Sequence, residues 1–182
     1  YGYIKVFQNN SNIWTQVGQT LSDTSTEMLP RYPISLSADG SRFVVPWINK
    51  NNSSGNNFRV YQNVSGLWTQ IGQNISLGNS NISNSAFISS DGSVIAAVFN
   101  GGPTGNQFVR LYKDLSGVWT QIGQDIDGSQ YGWLSSFGTV MSLSFDGSVV
   151  AISSYGNNIN GVERVGSVFV YKNISGTWTK IG

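Results

Sequence analysis

The chain contains neither cysteine nor histidine. The first absence excludes disulfides, thiolate metal sites and cysteine nucleophiles, and leaves the redox compartment open. The second excludes Ser-His-Asp catalysis, histidine general bases and histidine-ligated metals. Charge is scarce as well. Asp, Glu, Lys and Arg make up 10% of the 182 residues and the formal net charge is +1, so no basic stripe marks a nucleic-acid partner or an anionic membrane surface. No apolar run approaches the roughly 18 residues of a membrane span, and the opening Tyr1-Gly2 carries no charged-then-apolar leader. The expectation is no nucleic acid, no membrane span and any signal segment outside this stretch. What the chain does have is 13% aromatics together with abundant β-branched residues, Ser, Thr and Asn. That composition fits a folded β domain with an uncharged polar surface, common among extracellular proteins.

One string recurs. The chain reads SNIWTQVGQ from Ser11, SGLWTQIGQ from Ser65, SGVWTQIGQ from Ser116 and SGTWTKIG from Ser175. A second marker keeps step with it: Asp39-Gly40, Asp91-Gly92 and Asp146-Gly147 lie in SLSADGS, ISSDGS and SLSFDGS. A period of about 50 residues with several short strand signals per period is the pattern of propeller blades or another β array.

Each unit holds a succession of strand candidates. The first alternates, as in Ile34-Ser35-Leu36-Ser37 and Met141-Ser142-Leu143-Ser144, and reads as half-buried. The second, from Ser93 to Val98 or Ser148 to Ile152, is almost continuously apolar and suits a strand covered on both faces. Between them the Asp-Gly pair supplies the positive φ of a tight turn. In the first unit Pro46 has no N–H to donate, which predicts a strand end near Val45. The third strand is Phe58-Arg59-Val60-Tyr61 and its counterparts, and the fourth is the recurring string, ending at Gly72. Asn63-Val64-Ser65-Gly66 and its copies join them, with a composition that predicts a type I turn followed by a left-handed residue. The antiparallel ribbon then sets Tyr61 against Trp68, Phe7 against Trp14, Tyr112 against Trp119 and Tyr171 against Trp178 on one face. The repeated Trp is thus read as architecture.

The predicted fold is all-β: four-stranded antiparallel blades of a β-propeller, with a half unit at 1–19 and full units at 33–73, 85–124 and 139–182 in a single array. A propeller closes with roughly four to eight blades, so the ring is expected to be completed by further blades of a longer chain or by other subunits.

From Ser136 to Ser154, SFGTVMSLSFDGSVVAISS, and from Gly166 to Asn173, GSVFVYKN, the chain resembles FG-GAP-type blades of integrin-like propellers. Still more it resembles the tandem W-T-Q-I-G-Q-D-I-D-G and S-L-S-x-D-G-S-x-V-A-I repeats of large bacterial surface and secreted proteins, also seen in algal and giant-virus proteins. The resemblance spans essentially the whole chain. It implies a propeller fold and an extracellular, cell-surface or virion-surface setting. FG-GAP blades often carry a calcium loop with several aspartates; here the matching turn has shrunk to Asp-Gly, and that ligand set is missing.

Few residues remain as candidates for chemistry. Asp23, Glu27, Asp125, Asp127 and Glu163 are the carboxylates not assigned to turns, from which a glycan-acting hydrolase would have to draw a pair, foremost among Asp125, Asp127 and Glu163. Asp125-Ile126-Asp127-Gly128 resembles the start of a calcium loop but lacks the later acidic positions, and reads better as a polar loop. Lys5, Arg59 and Arg110 share one position of the third strand, with Phe169 in the fourth copy. They are candidates for an anionic ligand, or else pack and pair locally. Trp47 and Trp133 fall outside the repeated position and are candidates for exposed sugar-stacking platforms. Sequons start at Asn9, Asn51, Asn52, Asn63, Asn74, Asn81 and Asn173, a slight excess over the roughly four or five that chance supplies. The leading expectation is a non-enzymatic structural or adhesion module acting through protein partners, without a cofactor or metal. A carbohydrate-binding lectin is the alternative and a glycan-acting hydrolase a weaker one.

Overall fold

The computed structural model describes residues 2–22, 27–28, 33–49, 51, 57–76, 82–101, 107–131, 136–156, 162 and 165–182. Their strands form four antiparallel sheets in chain order. The first pairs β1 (Tyr3–Asn10) with β2 (Ile13–Ser22). The second sets β5 (Arg42–Asn49) between the short β3 (Glu27–Met28) and β4 (Ser35–Leu36) on one side and β6 (Asn57–Val64) then β7 (Leu67–Ile75) on the other. The third runs β8 (Ile82–Ile88), β9 (Val94–Phe99), β10 (Phe108–Asp114), with β11 (Trp119–Gln121) and β12 (Ile126–Asp127) along its last edge. The fourth runs β13 (Met141–Leu143), β14 (Val149–Ser154), β15 (Ser167–Ile174), β16 (Thr177–Ile181).

The all-β prediction holds, and three local readings need correction. The loops ending the third strand are two-residue turns: Val64 pairs with Leu67, and the central Ser65 and Gly66 have φ 51° and 86°. Two consecutive positive φ values define a type I′ turn, whose twist matches that of the strands it joins. Ser11-Asn12, Ser116-Gly117 and Ser175-Gly176 repeat it. The leading Asn or Asp accepts the N–H of the fourth residue, at 2.8 Å for Asn63 and 2.7 Å for Asp114. Serine pays conformational energy in the left-handed region. Ser65→Asn is therefore expected to raise stability by roughly 0.5–1 kcal/mol in urea titration.

Second, β5 passes through Pro46, which pairs with Phe58. Across its other edge β5 meets β4 only as far as Val44 and β3 from Ile48 onward. Among the described residues Pro46 thus sits beside a gap in that ladder, where an absent N–H is tolerated. Third, Trp68 lies opposite Asn63, and Tyr61 opposite Gln70. Tyrosine and tryptophan share a face on the diagonal, and Phe43 links them: its ring stacks on Tyr61 at 5.3 Å and meets Trp68 edge-on at 4.9 Å.

A core fills each space between successive sheets. Ile4, Phe43, Val45, Trp47, Tyr61 and Trp68 close the first. The second includes Val44, Phe58, Val60, Ile95, Phe99, Tyr112 and Trp119, and the third Val98, Val109, Leu111, Phe137, Ile152, Tyr171 and Trp178. Strand β9 lies between two of these cores and is buried along its whole length, as its unbroken apolar run predicts.

Candidate functional site

The recurring string acts between sheets. In the first copy the ladder of β1 and β2 shifts between Ile4 and Val6, so that Gly18, Gln19 and Thr20 bulge out opposite Lys5. The same shift sets Gly72-Gln73-Asn74 opposite Arg59. In the third sheet Ile122 donates its N–H to the Leu111 carbonyl and Val109 pairs with Ile126, leaving Gly123-Gln124-Asp125 opposite Arg110. The strand therefore continues past Gly72, contrary to the sequence expectation, through a bulge that turns glycine and glutamine toward the next sheet.

That bulge holds the next tryptophan. The Trp68 indole N–H donates to the Val17 carbonyl at 2.8 Å, and a Cβ on Gly18 would stand 2.7 Å from the indole Cδ1. The Gln19 amide meets the Trp68 backbone twice, its Nε2 donating to the carbonyl at 2.8 Å and its Oε1 accepting the N–H at 2.8 Å. Trp119 repeats all of this on Ile71, Gly72 and Gln73, and Trp178 on Ile122, Gly123 and Gln124. The earlier glutamine of the string staples the bulge from behind: Gln70 Nε2 donates to the Gly72 carbonyl and to Asn74 Oδ1, and Gln121 Nε2 to the Gly123 carbonyl and Asp125 Oδ1. Trp, Gln, Gly and the final Gln of the string thus each have a mechanical task, and the glutamine also covers the polar edge of an outermost strand.

The Asp-Gly turns line one end of the array. Asp39 accepts from Ser37 Oγ, Ser41 Oγ and the Ser41 N–H; Asp91 and Asp146 are held alike by Ser89 with Ser93 and by Ser144 with Ser148. Neighbouring turns are joined through their backbones, Ala38 N–H to Ser90 carbonyl and Asp91 N–H to Phe145 carbonyl. Hydrogen bonds from Ser37 and Ser41 lower the Asp39 pKa from 3.8 to about 2, and those from Ser148 and Ser144 do the same for Asp146. Burial opposes ionisation of Asp91, but its serine hydrogen bonds outweigh that and lower it too. Because the folded-state pKa values lie below the ordinary one, this stabilisation is complete above pH about 4 and is lost as pH falls through about 2. Urea midpoints are expected to drop over that window, with a shallower drop in an Asp39→Asn/Asp146→Asn double variant.

Clefts open between sheets near these turns. The one between the third and fourth sheets, about 610 Å3, is lined by Asp91, Lys113, Gln121, Asp146 and Asn173 among others. A smaller one of about 320 Å3 lies between the first and second sheets and includes Gln8, Asp39 and Asn63. At the junction of the second and third, Arg42 reaches across, its Nη1 donating to the Gly92 carbonyl and Asp114 Oδ2, both at 3.0 Å. The matching positions carry Val94 and Val149, so a single substitution in the repeat changes how a junction is filled. Nothing in the sequence singled out Arg42 beyond that contrast.

The sequence-selected residues scatter across this scaffold. Trp47 is 4% exposed inside the first core, so the expectation of an exposed platform is overturned there; its ring packs near Tyr61 and beneath the Arg59 guanidinium, 4.4 Å away. Arg59 also donates to Asn57 Oδ1 at 3.1 Å. Arg110 grips Asp125 with two hydrogen bonds of 2.6 and 2.7 Å, which raises the arginine's pKa. In the fourth copy Phe169 takes the position of the arginine and stacks on Tyr131 at 3.9 Å. Lys5 Nζ lies over the Tyr3 ring at 5.2 Å, so all three cations have local contacts. Asp127 accepts the Ser129 N–H and hydroxyl, so Asp125 and Asp127 have separate partners. Asn9, Asn63 and Asn173 cap the type I′ turns, and Asn74 accepts from Gln70. Asn51 is exposed. Trp133, Glu163, Asn52 and Asn81 lie outside the described residues. No group of His, Cys, Asp and Glu able to hold a metal occurs among the described residues, and no described helix is long and apolar enough to cross a membrane.

The sequence matches no protein family model and no curated protein. Among solved structures, the X-ray structure of a hypothetical selenium-binding protein from Sulfolobus tokodaii is similar in fold, with a TM-score of 0.59 at 12% identity. The match covers 91% of this chain and 46% of that one, so the present chain spans about half the length of that neighbour.

Proposed function

We propose that the chain forms part of a β-propeller serving as a non-enzymatic structural or adhesion module, outside the cell or on a particle surface, through protein contacts at its sheet ends. The observation that carries this reading is the use made of the repeated side chains. The tryptophans and glutamines of the first string bond sheet to sheet, and the aspartates and serines of the second lock each turn upon itself, which suits a scaffold whose variable positions carry recognition. The testing experiment is isolation of the protein from its source with native mass measurement and imaging. A ring of roughly four to eight sheets in stable complex with another component of the same surface is expected. A free particle that turns over glycosides would contradict it.

The cleft between the third and fourth sheets favours a second reading, carbohydrate binding. Asp91, Lys113, Gln121, Asp146 and Asn173 offer both donors and acceptors to sugar hydroxyls. On a glycan array this reading expects a bound glycan whose signal disappears with Lys113→Ala. Absence of any bound glycan, or binding indifferent to that change, removes it.

A further inference from the structure

Among the described residues the tryptophan of the first copy has no clasp. Trp68, Trp119 and Trp178 are 3%, 2% and 3% exposed, whereas Trp14 is 67% exposed and no hydrogen bond to its indole is present among the described residues. Its diagonal neighbour Phe7 is 50% exposed, although Tyr61, Tyr112 and Tyr171 at that position are all buried. The first sheet therefore presents outward the same two-ring face that each later sheet presses onto its predecessor.

The fourth sheet shows the mating face. Val168 is 67% exposed, while its counterparts Phe58 and Val109 are fully buried against the following sheet. Gly182 has φ 79°, beside 73°, 69° and 70° at Gly18, Gly72 and Gly123, and a Cβ there would meet nothing within 4 Å. The glycine that elsewhere receives an indole edge already has the receiving conformation, with the Ile181 carbonyl before it to take an indole N–H.

We propose that the Phe7–Trp14 face of the first sheet is a docking surface for a further sheet of this same repeat, whose Ile/Val-Gly-Gln bulge clasps Trp14 as Gly18 and Gln19 clasp Trp68. The occupant's chemistry is set by the occupied examples: a carbonyl for the indole N–H, a left-handed glycine under the ring and a glutamine amide for the Trp14 backbone. Apolar residues at the positions of Phe58 and Val60 complete the face. This inference concerns the outer face of the first sheet and stands whatever the loops and clefts bind.

The probe is a second copy of the chain made as a socket donor. It carries Trp14→Ala and is extended beyond Gly182 by Gln-Asp-Ile, the residues that follow Gly123. Mixed with the unaltered chain, it is expected to form a one-to-one complex by sedimentation velocity, with Kd in roughly the micromolar range. Trp14→Ala in the acceptor, or Val in place of Gly182 in the donor, is expected to weaken binding at least about tenfold. Because Trp14 is 67% exposed and a Cβ on Gly182 would meet nothing within 4 Å among the described residues, the melting curves of both variants serve as folding controls. No complex at about 0.1 mM, weaker than specific association of such faces allows, or a complex indifferent to both changes, overturns the proposal.

Discussion

Gly72→Ala is expected to lower the stability of the array by about 3 kcal/mol, or roughly 10 °C in melting temperature for a chain of this size. Two costs combine. Gly72 has φ 69°, a conformation that costs an L-residue roughly 1–2 kcal/mol. The new Cβ would also stand 2.6 Å from Trp119 Cδ1 and 3.0 Å from the Gly117 carbonyl oxygen, so the indole must leave its seat, an overpacking cost of roughly 1–3 kcal/mol. Gly66→Ala isolates the first cost, because its φ of 86° is equally left-handed yet nothing lies within 4 Å of the added carbon. Chemical denaturation of the two variants should rank Gly72→Ala well above Gly66→Ala. Equal losses would mean that the close approach of the indole carries no energy.

The second large effect is a contrast between identical residues in identical strings. Trp119→Ala is expected to cost about 3–5 kcal/mol, as deletion of a buried tryptophan usually does. It removes the ring from the core that also holds Phe58, Phe99 and Tyr112 and leaves the Ile71 carbonyl without its indole partner. Trp14→Ala should change stability by less than about 0.5 kcal/mol, the usual range at exposed surface positions. Urea titration of both settles the point. A large loss at Trp14 would show that the string stabilises its own hairpin rather than the junction with the preceding sheet. In an array stabilised largely by nearest-neighbour interfaces, Trp119→Ala should further separate unfolding of the sheets on either side into two transitions.

Local chemistry in this chain could be read from its residues, and partnerships across the period could not. The Asp-Gly turns, the buried run of β9 and the antiparallel hairpins follow from alternation and turn composition within a few neighbours. The type of the Ser-Gly turn was misread because serine is uncommon at positive φ; the pairing of Val64 with Leu67 forces it there. The tolerance of Pro46 depends on a gap between β3 and β4, among the described residues, that no local pattern marks. Trp68 was rightly assigned to architecture, yet its partners Val17, Gly18 and Gln19 lie about 50 residues upstream, in the preceding copy of its own string. The signal that could have found them was the constancy of Gly and Gln after the strand, which a hairpin alone does not require. Trp47 stood out for lying off the repeated position, but a residue outside the repeat can still fill a core, here beside Tyr61 and beneath Arg59. Of the cleft between the third and fourth sheets, the turn aspartates and Asn173 stand out in the sequence, but their meeting does not, because the lining comes from two sheets.

Hydrogen exchange at the tryptophan indoles, followed by NMR, measures the inter-sheet clasp most directly. The Nε1–H groups of Trp68, Trp119 and Trp178 donate to the Val17, Ile71 and Ile122 carbonyls of the preceding sheet and should exchange only through opening of those junctions, while Trp14 should exchange at nearly the rate of a free indole. Slow exchange at the three and fast exchange at the one would establish the recurring string as the fastener between sheets. Four indoles exchanging alike would contradict it.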